Sequence, residues 1–169
     1  MHSTVTDLVR RMREKYPGHF KKSRVLELGS RNINGTVRDF FSESADYVGI
    51  DCHGGKGVDV VGIAHEYDQR DDGYFDVVVT TEMLEHDPYW EQTLEFAARM
   101  LRSGGLFILT CAGPSRGAHH PEDSPIPGYY GNRTVEELES HLPSCCGWEP
   151  LHVNYVRNNL DLHAYGVKL

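Results

Sequence analysis

Short apolar runs, none near the roughly 20 residues needed to cross a bilayer, recur along the chain between Gly-containing turns and helical patterns. This alternation is the strongest constraint on the fold, because strands buried on both faces read as continuous apolar runs rather than as alternating ones. Such runs fall at residues 24–28, 47–50, 58–61, 75–80 and 106–110. Two later segments, 149–156 and 160–168, flank an Asn158-Asn159 pair suited to a hairpin turn. Val5, Leu8, Val9 and Met12 recur at helical spacing until Tyr16, Pro17 and Gly18 interrupt them, which predicts a helical cap within residues 1–20. Further helices are predicted around Val37, Phe40 and Phe41, from Pro88 to Leu101 with Gly104 and Gly105 as the stop, and from Thr134. Thr134 and Glu137 have the spacing of a capping box, in which each side chain satisfies the other residue's backbone N–H. Strands alternating with helices and closing in a hairpin specify an α/β chain with a mostly parallel sheet and one antiparallel strand.

The 169 residues contain no linker-like stretch and are expected to form one domain, 1–169. Residues 112–132, rich in Pro and Gly, exceed an ordinary connection and are expected to form a substrate loop. A formal net charge of −8 opposes nonspecific attraction to phosphate backbones, so a nucleic-acid partner is disfavoured. Cys52, Cys111, Cys145 and Cys146 show no metal-binding spacing and read as free thiols of a reducing compartment. Residues 1–15 mix Asp7, Arg10, Arg11, Arg13, Glu14 and Lys15 with apolar positions, unlike a signal peptide, so a cytoplasmic protein is expected, with no membrane partner.

The informative pairing joins two strands. Val25-Leu26-Glu27-Leu28-Gly29 is followed about twenty residues later by a strand ending in Asp51. In an open parallel sheet a ligand lies beyond the carboxyl ends of the strands, where Gly29 lets it approach the backbone and Asp51 can accept bonds from ribose hydroxyls. Both NAD and S-adenosylmethionine fit that geometry. Dinucleotide sites follow G-x-G-x-x-G, yet Arg31 and Asn34 stand where the second and third glycines belong. Glu27, two residues before Gly29, would oppose a pyrophosphate but favour the cationic amino-acid end of S-adenosylmethionine.

With these pieces in place the chain resembles the class I S-adenosylmethionine-dependent methyltransferases, in particular the methyltransferase type 11 branch. The resemblance covers about residues 25–110. It rests on Val25-Leu26-Glu27-Leu28-Gly29-Ser30, Tyr47-Val48-Gly49-Ile50-Asp51, Phe75-Asp76-Val77-Val78-Val79, Glu82-Met83-Leu84-Glu85-His86 and Leu101-Arg102-Ser103-Gly104-Gly105-Leu106, in order and at workable spacings. The resemblance implies a Rossmann-like, seven-stranded, mostly parallel sheet with helices on both faces and an antiparallel C-terminal hairpin strand. It implies S-adenosylmethionine as cofactor, with Glu27, Gly29 and Ser30 beside the methionine part, Asp51 on the ribose, and Cys52 and Ala64 beside the adenine. Thr80, Thr81 and Glu82 would line the floor under the sulfonium. Where the family often presents an Asp-Ala pair to adenine, this chain has Ile63-Ala64 followed by His65, leaving Asp68, a backbone carbonyl or water as the acceptor.

The implied reaction is direct in-line methyl transfer to a small or medium-sized acceptor, in which alignment with an already activated methyl supplies much of the acceleration. For a hydroxyl acceptor a neutral His could take the proton near physiological pH, and His119 and His120 are the candidate catalytic residues. His86 reads as backbone contact with the cofactor, and Asp87 as the cap of a helix begun by Pro88. His119, His120, Glu122 and Asp123 read as a polar loop, not as a metal site. Tyr129 and Tyr130 could stack on an aromatic acceptor or pack the loop onto the domain. Two other functions fit the pattern less fully: a noncatalytic S-adenosylmethionine-binding protein and an NAD-dependent oxidoreductase.

Overall fold

A computed structural model describes residues 3–119 and 129–169 of the chain. In chain order these form helix α1 (Ser3–Lys15), strands β1 (Arg24–Leu28), β2 (Asp46–Asp51), β3 (Val60–Val61) and β4 (Phe75–Thr81), helix α2 (Trp90–Met100), strand β5 (Leu101–Ala112), helix α3 (Val135–Cys145), and strands β6 (Trp148–Val156) and β7 (Asp161–Lys168). The seven strands make one sheet in the order β3-β2-β1-β4-β5-β7-β6. Strands β1 to β5 pair in parallel, and β7 runs antiparallel to both of its neighbours. This is the α/β, Rossmann-like arrangement expected from the sequence.

Because successive side chains leave a strand on opposite faces, each central strand feeds two cores. Leu26, Leu28, Val78 and Leu109 meet Leu94, Ala97 and Met100 of α2 and Leu138 and Leu142 of α3. On the other face Val25, Val77, Val79 and Ile108 meet Val5, Leu8, Val9 and Met12, the apolar stripe of α1. Burying four such side chains stabilises the α1 contact by several kcal/mol, at about 1.5–3 kcal/mol each, and explains why a 13-residue helix is held here.

Two expected elements differ. The helix expected around Val37, Phe40 and Phe41 is only a 3-10 turn, Arg38–Phe41. β2 starts at Asp46, and the Ala45 and Lys22 amides bond Ser23 and Glu43 carbonyls, so the chain turns back before a second helical turn can repay the cost of nucleation. Phe41 closes this face instead by stacking on Phe20 at 4.5 Å. Gly104 and Gly105 do not stop α2, because Leu101 already pairs with Phe75. The glycines occupy the irregular stretch before Leu106 pairs with Val77, where Gly104 adopts φ +72°.

The capping box is formed: Thr134 accepts from the Glu137 amide at 3.1 Å and Glu137 accepts from the Thr134 amide at 2.7 Å. At the hairpin, Arg157, Asn158 and Asn159 all take positive φ, a region Asn enters more readily than most residues. Among the described residues no helix is long and apolar enough to cross a membrane.

Candidate functional site

The chain runs from β1 outward to β2 and β3, then returns to place β4 on the other side of β1. That reversal opens a crevice beyond the carboxyl ends of the strands. A cavity of about 460 Å³ occupies it, and its wall includes Glu27, Gly29, Ser30, Asp51, Cys52, Ala64, Thr81 and Glu82. Eight of the nine residues expected at a cofactor therefore converge on one hollow. Thr80 does not: it is fully buried in β4 and lies off the cavity wall.

Gly29 makes the turn out of β1. Its φ is +77°, and a Cβ there would stand 2.6 Å from Met83 Cβ and Cγ. Both obstacles exclude larger residues, so the loop from β1 and the segment after β4 meet at this point. The Gly29 and Ser30 amides donate to the Ile50 carbonyl, which folds the loop against β2.

Glu27 is 2% exposed and accepts from the Tyr47 hydroxyl at 2.8 Å. Burial pushes its carboxyl up to about 7, despite the opposing influence of that hydroxyl and of the Arg38 guanidinium. Arg38 stacks over the Tyr47 ring and pairs with Asp59, so its charge is shared. Burial and the neighbouring Glu27 in turn push the Tyr47 hydroxyl far up. Asp51 accepts from the Arg31 amide at 3.1 Å and the His53 amide at 3.0 Å, and the Cys52 thiol reaches it at 3.6 Å. A carboxylate offers about four acceptor positions, so turn capping and ligand binding are compatible at this residue.

On the opposite wall Ile63 and Ala64 present apolar surface, and Asp68 is not on the wall. Arg31 and Asn34, which replace the glycines of a pyrophosphate loop, both line the hollow. Glu82, at φ +54°, accepts from Thr110 at 3.0 Å and from Arg116 at 3.0 Å. Arg116 also binds Asp161, which tethers the beginning of the loop after β5 to both β4 and β7.

His119 is exposed and off the cavity wall, with its ring 5.3 Å from that of His86 and 5.0 Å from that of Tyr130. His120 lies outside the described residues, as do Glu122 and Asp123. Tyr129 donates no stacking surface to the hollow; its hydroxyl accepts from Arg133 at 2.9 Å. Two residues given a lesser part by sequence reasoning stand closer, since His86 and Asp87 line the cavity, and Tyr89 joins them there. α2 begins at Trp90, not at Pro88, and its N-cap is Tyr89 with no side-chain cap, so Asp87 is not the expected helix cap. It accepts from the Tyr89 amide and the Thr93 hydroxyl and holds the turn that precedes the helix. Glu85, unremarked in the sequence beyond its motif, is fully buried, and burial with the nearby Glu82 charge pushes its carboxyl up to about 8.

Comparisons with known proteins agree with this fold. A relative from Halorhodospira halochloris, a sarcosine/dimethylglycine N-methyltransferase, is 45% identical over 122 residues, 62% of this chain and 42% of that protein. The chain thus spans less than half the length of that relative. Among solved structures, a SAM-dependent methyltransferase from Archaeoglobus fulgidus superposes with a TM-score of 0.70 at 18% identity, covering 96% of this chain and 94% of the other. The Burkholderia thailandensis 1,6-didemethyltoxoflavin-N1-methyltransferase, solved with its acceptor and S-adenosylhomocysteine, gives 0.72 at 16% identity over 98% and 78% of the two chains. At such identities these structures speak for the fold. The model of the methyltransferase domain matches residues 1–153, and the chain belongs to that family.

Proposed function

We propose that this chain transfers the methyl group of S-adenosylmethionine to a small acceptor in the crevice beside β1. The observation that carries this reading is the convergence of Glu27, Gly29 and Asp51 on a cavity of about 460 Å³, within the roughly 300–1,000 Å³ range of small-ligand pockets. The buried Glu27 carboxyl faces the methionine ammonium, a cation that favours its ionised form. Asp51 accepts from the ribose hydroxyls with the acceptor positions left by Arg31 and His53. Ile63 and Ala64 pack against the adenine, with Cys52 opposite, and backbone or water bonds the adenine amino group. Thr81 and Glu82 form the floor under the sulfonium.

In the transfer step the acceptor lone pair attacks the methyl carbon as the carbon–sulfur bond breaks, and its electron pair remains on sulfur. The products are the methylated acceptor and S-adenosylhomocysteine, with one proton lost from the acceptor. The protein's contribution is alignment and exclusion of water. Two named relatives methylate nitrogen in small molecules, which supports an amine acceptor. A neutral amine attacks without a base, so the chemistry does not require His119 or His120 in that role. Were the acceptor a hydroxyl, His119 and His120 would remain the candidate bases.

Residues 1–20 act as a cap on the α1 face, residues 112–132 shape the acceptor space, and the whole of 1–169 serves as one methyltransferase unit. Free Cys52, Cys111, Cys145 and Cys146 support a reducing, cytoplasmic setting, and the net charge of −8 supports a small molecule over nucleic acid. Isothermal titration with S-adenosylhomocysteine tests the cofactor site: saturable binding weakened by Asp51→Ala is expected, and no binding of either this compound or S-adenosylmethionine overturns the proposal. Transfer of labelled methyl to a panel of small amines then separates an enzyme from a protein that only binds the cofactor.

A further inference from the structure

We propose that Glu85, His86 and His119 form a binding site for one divalent transition-metal ion on the acceptor side of the cofactor cavity. One carboxylate oxygen and two imidazole nitrogens from these residues all lie within 4.8 Å of one another. Bonds of about 2.0–2.2 Å to such ligands place donor atoms roughly 3 Å apart, so modest side-chain rotation closes the set around an ion. Two imidazoles with one carboxylate suit zinc, iron or manganese better than magnesium or calcium, which favour all-oxygen shells.

A second observation points to a ligand. Glu85 is fully buried, and neither of its oxygens meets a side-chain donor among the described residues. The charge that weighs most on it is that of another acid, Glu82, and Arg116, whose charge opposes this, is paired with Glu82 and Asp161. A buried carboxyl of this kind is protonated when nothing else is bound, and a metal ion takes the place of that proton when it coordinates.

The surroundings also fit. Metal-bound His residues usually hand their other ring N–H to a backbone carbonyl, which fixes the tautomer. His119 Nδ1 stands 3.2 Å from the Gly117 carbonyl, leaving Nε2 for an ion. Glu85 and His86 sit on the tight 3-10 turn Leu84–His86, and the Gly131 amide donates to the Glu85 carbonyl at 2.8 Å. Two ligands are therefore on rigid backbone and one is on the loop, so an ion would pin that loop over the crevice. His86 alone of the three lines the cavity, and coordination positions not filled by protein would face the acceptor. The use of the ion to hold an acceptor nitrogen or oxygen rests on the function proposed above; the binding itself does not.

The test uses the untagged full chain, stripped with a chelator and titrated with Co²⁺ while its visible absorption is followed, then with competing Zn²⁺. One equivalent of Co²⁺ with a ligand-field spectrum is expected. His119→Ala, an exposed position, should weaken it by more than the roughly 10–100-fold that loss of an outer hydrogen-bond partner costs, with an unchanged melting curve. Glu85→Gln, checked for folding in the same way, should do likewise. S-adenosylhomocysteine titrated into the stripped protein reports the cofactor site separately, so failure of one proposal is distinguishable from failure of the other. Absence of stoichiometric Co²⁺ binding overturns the site. So does binding that survives His119→Ala, including binding lost on His53→Ala, which would place the ion at the Asp51, Cys52 and His53 cluster.

Discussion

Two buried carboxylates near the carboxyl edge of the sheet, three strands apart, have opposite environments. Asp161, at the start of β7, is 1% exposed and accepts from Arg157 at 2.6 and 2.7 Å, from Arg116, and from Thr4 at 3.0 Å. Those partners hold its carboxyl below the usual range even though burial alone would raise it. Glu27 in β1 is equally hidden but has one neutral partner, Tyr47, and burial carries it up to about 7. Asp161 is a finished structural joint. Glu27 has no such set of partners, and it lines the cavity in which the proposed function puts the cofactor ammonium.

The largest expected effect lies at the finished joint. Asp161→Ala should lower unfolding stability by about 3 kcal/mol, because it leaves Arg116 and Arg157 without their shared anion, a loss readable by chemical denaturation. An unchanged stability would break the contrast at once. Glu27→Gln should act in the other direction. Folding raises the Glu27 pKa from 4.5 to about 7, so the ionised side chain disfavours the cofactor-free fold increasingly as pH rises through that window. The variant should be more stable than the parent by about 2 kcal/mol at pH 8 and equal to it below about pH 4.5. The same substitution should weaken S-adenosylhomocysteine binding by roughly 10- to 100-fold, the loss of one charge-assisted hydrogen bond.

A smaller effect sharpens the reason. A ligand ammonium favours ionised Glu27, so cofactor affinity should climb as pH rises toward about 7, by at most about tenfold per unit, and then level off. Calorimetry in buffers of different ionisation enthalpy should show proton release on binding at pH 6, and none for Glu27→Gln. The smallest effect separates burial alone from burial awaiting a ligand. His163 is 2% exposed, neither ring nitrogen has a hydrogen-bond partner among the described residues, and burial lowers its pKa to about 4. The unfolded chain binds this proton first, so stability should fall as pH drops from about 6.5 toward 4. His163→Leu should flatten that acid limb by about 1 kcal/mol at pH 5 in melting experiments, with no change in cofactor affinity.

What the sequence disclosed follows the range of the forces involved. Central strands were readable because Val25-Leu26 and Val77-Val78-Val79 must be apolar on both faces, and α3 because the Thr134 and Glu137 exchange is local. The absent helix around Phe40 was not readable, since helical spacing there is genuine and only the position of Asp46 in the sheet curtails it. At the site, Glu27, Gly29 and Asp51 were legible because strand ends dictate where a ligand lies. Of the adjacent pair Thr80 and Thr81, both expected at the cofactor, only Thr81 reaches the wall, because successive strand residues face opposite sides. Glu85 and His119 come together only when the chain returns at Gly131 and the loop leaves β5, contacts that no local pattern encodes.

Met83 filling the space where a Gly29 side chain would project has a further consequence. The two lips of the crevice are in contact there, and neither can move inward without displacing the other. Under the proposed function, acceptor range is then expected to respond to changes on the tethered side that begins at Arg116, and cofactor affinity to changes at the Gly29 end.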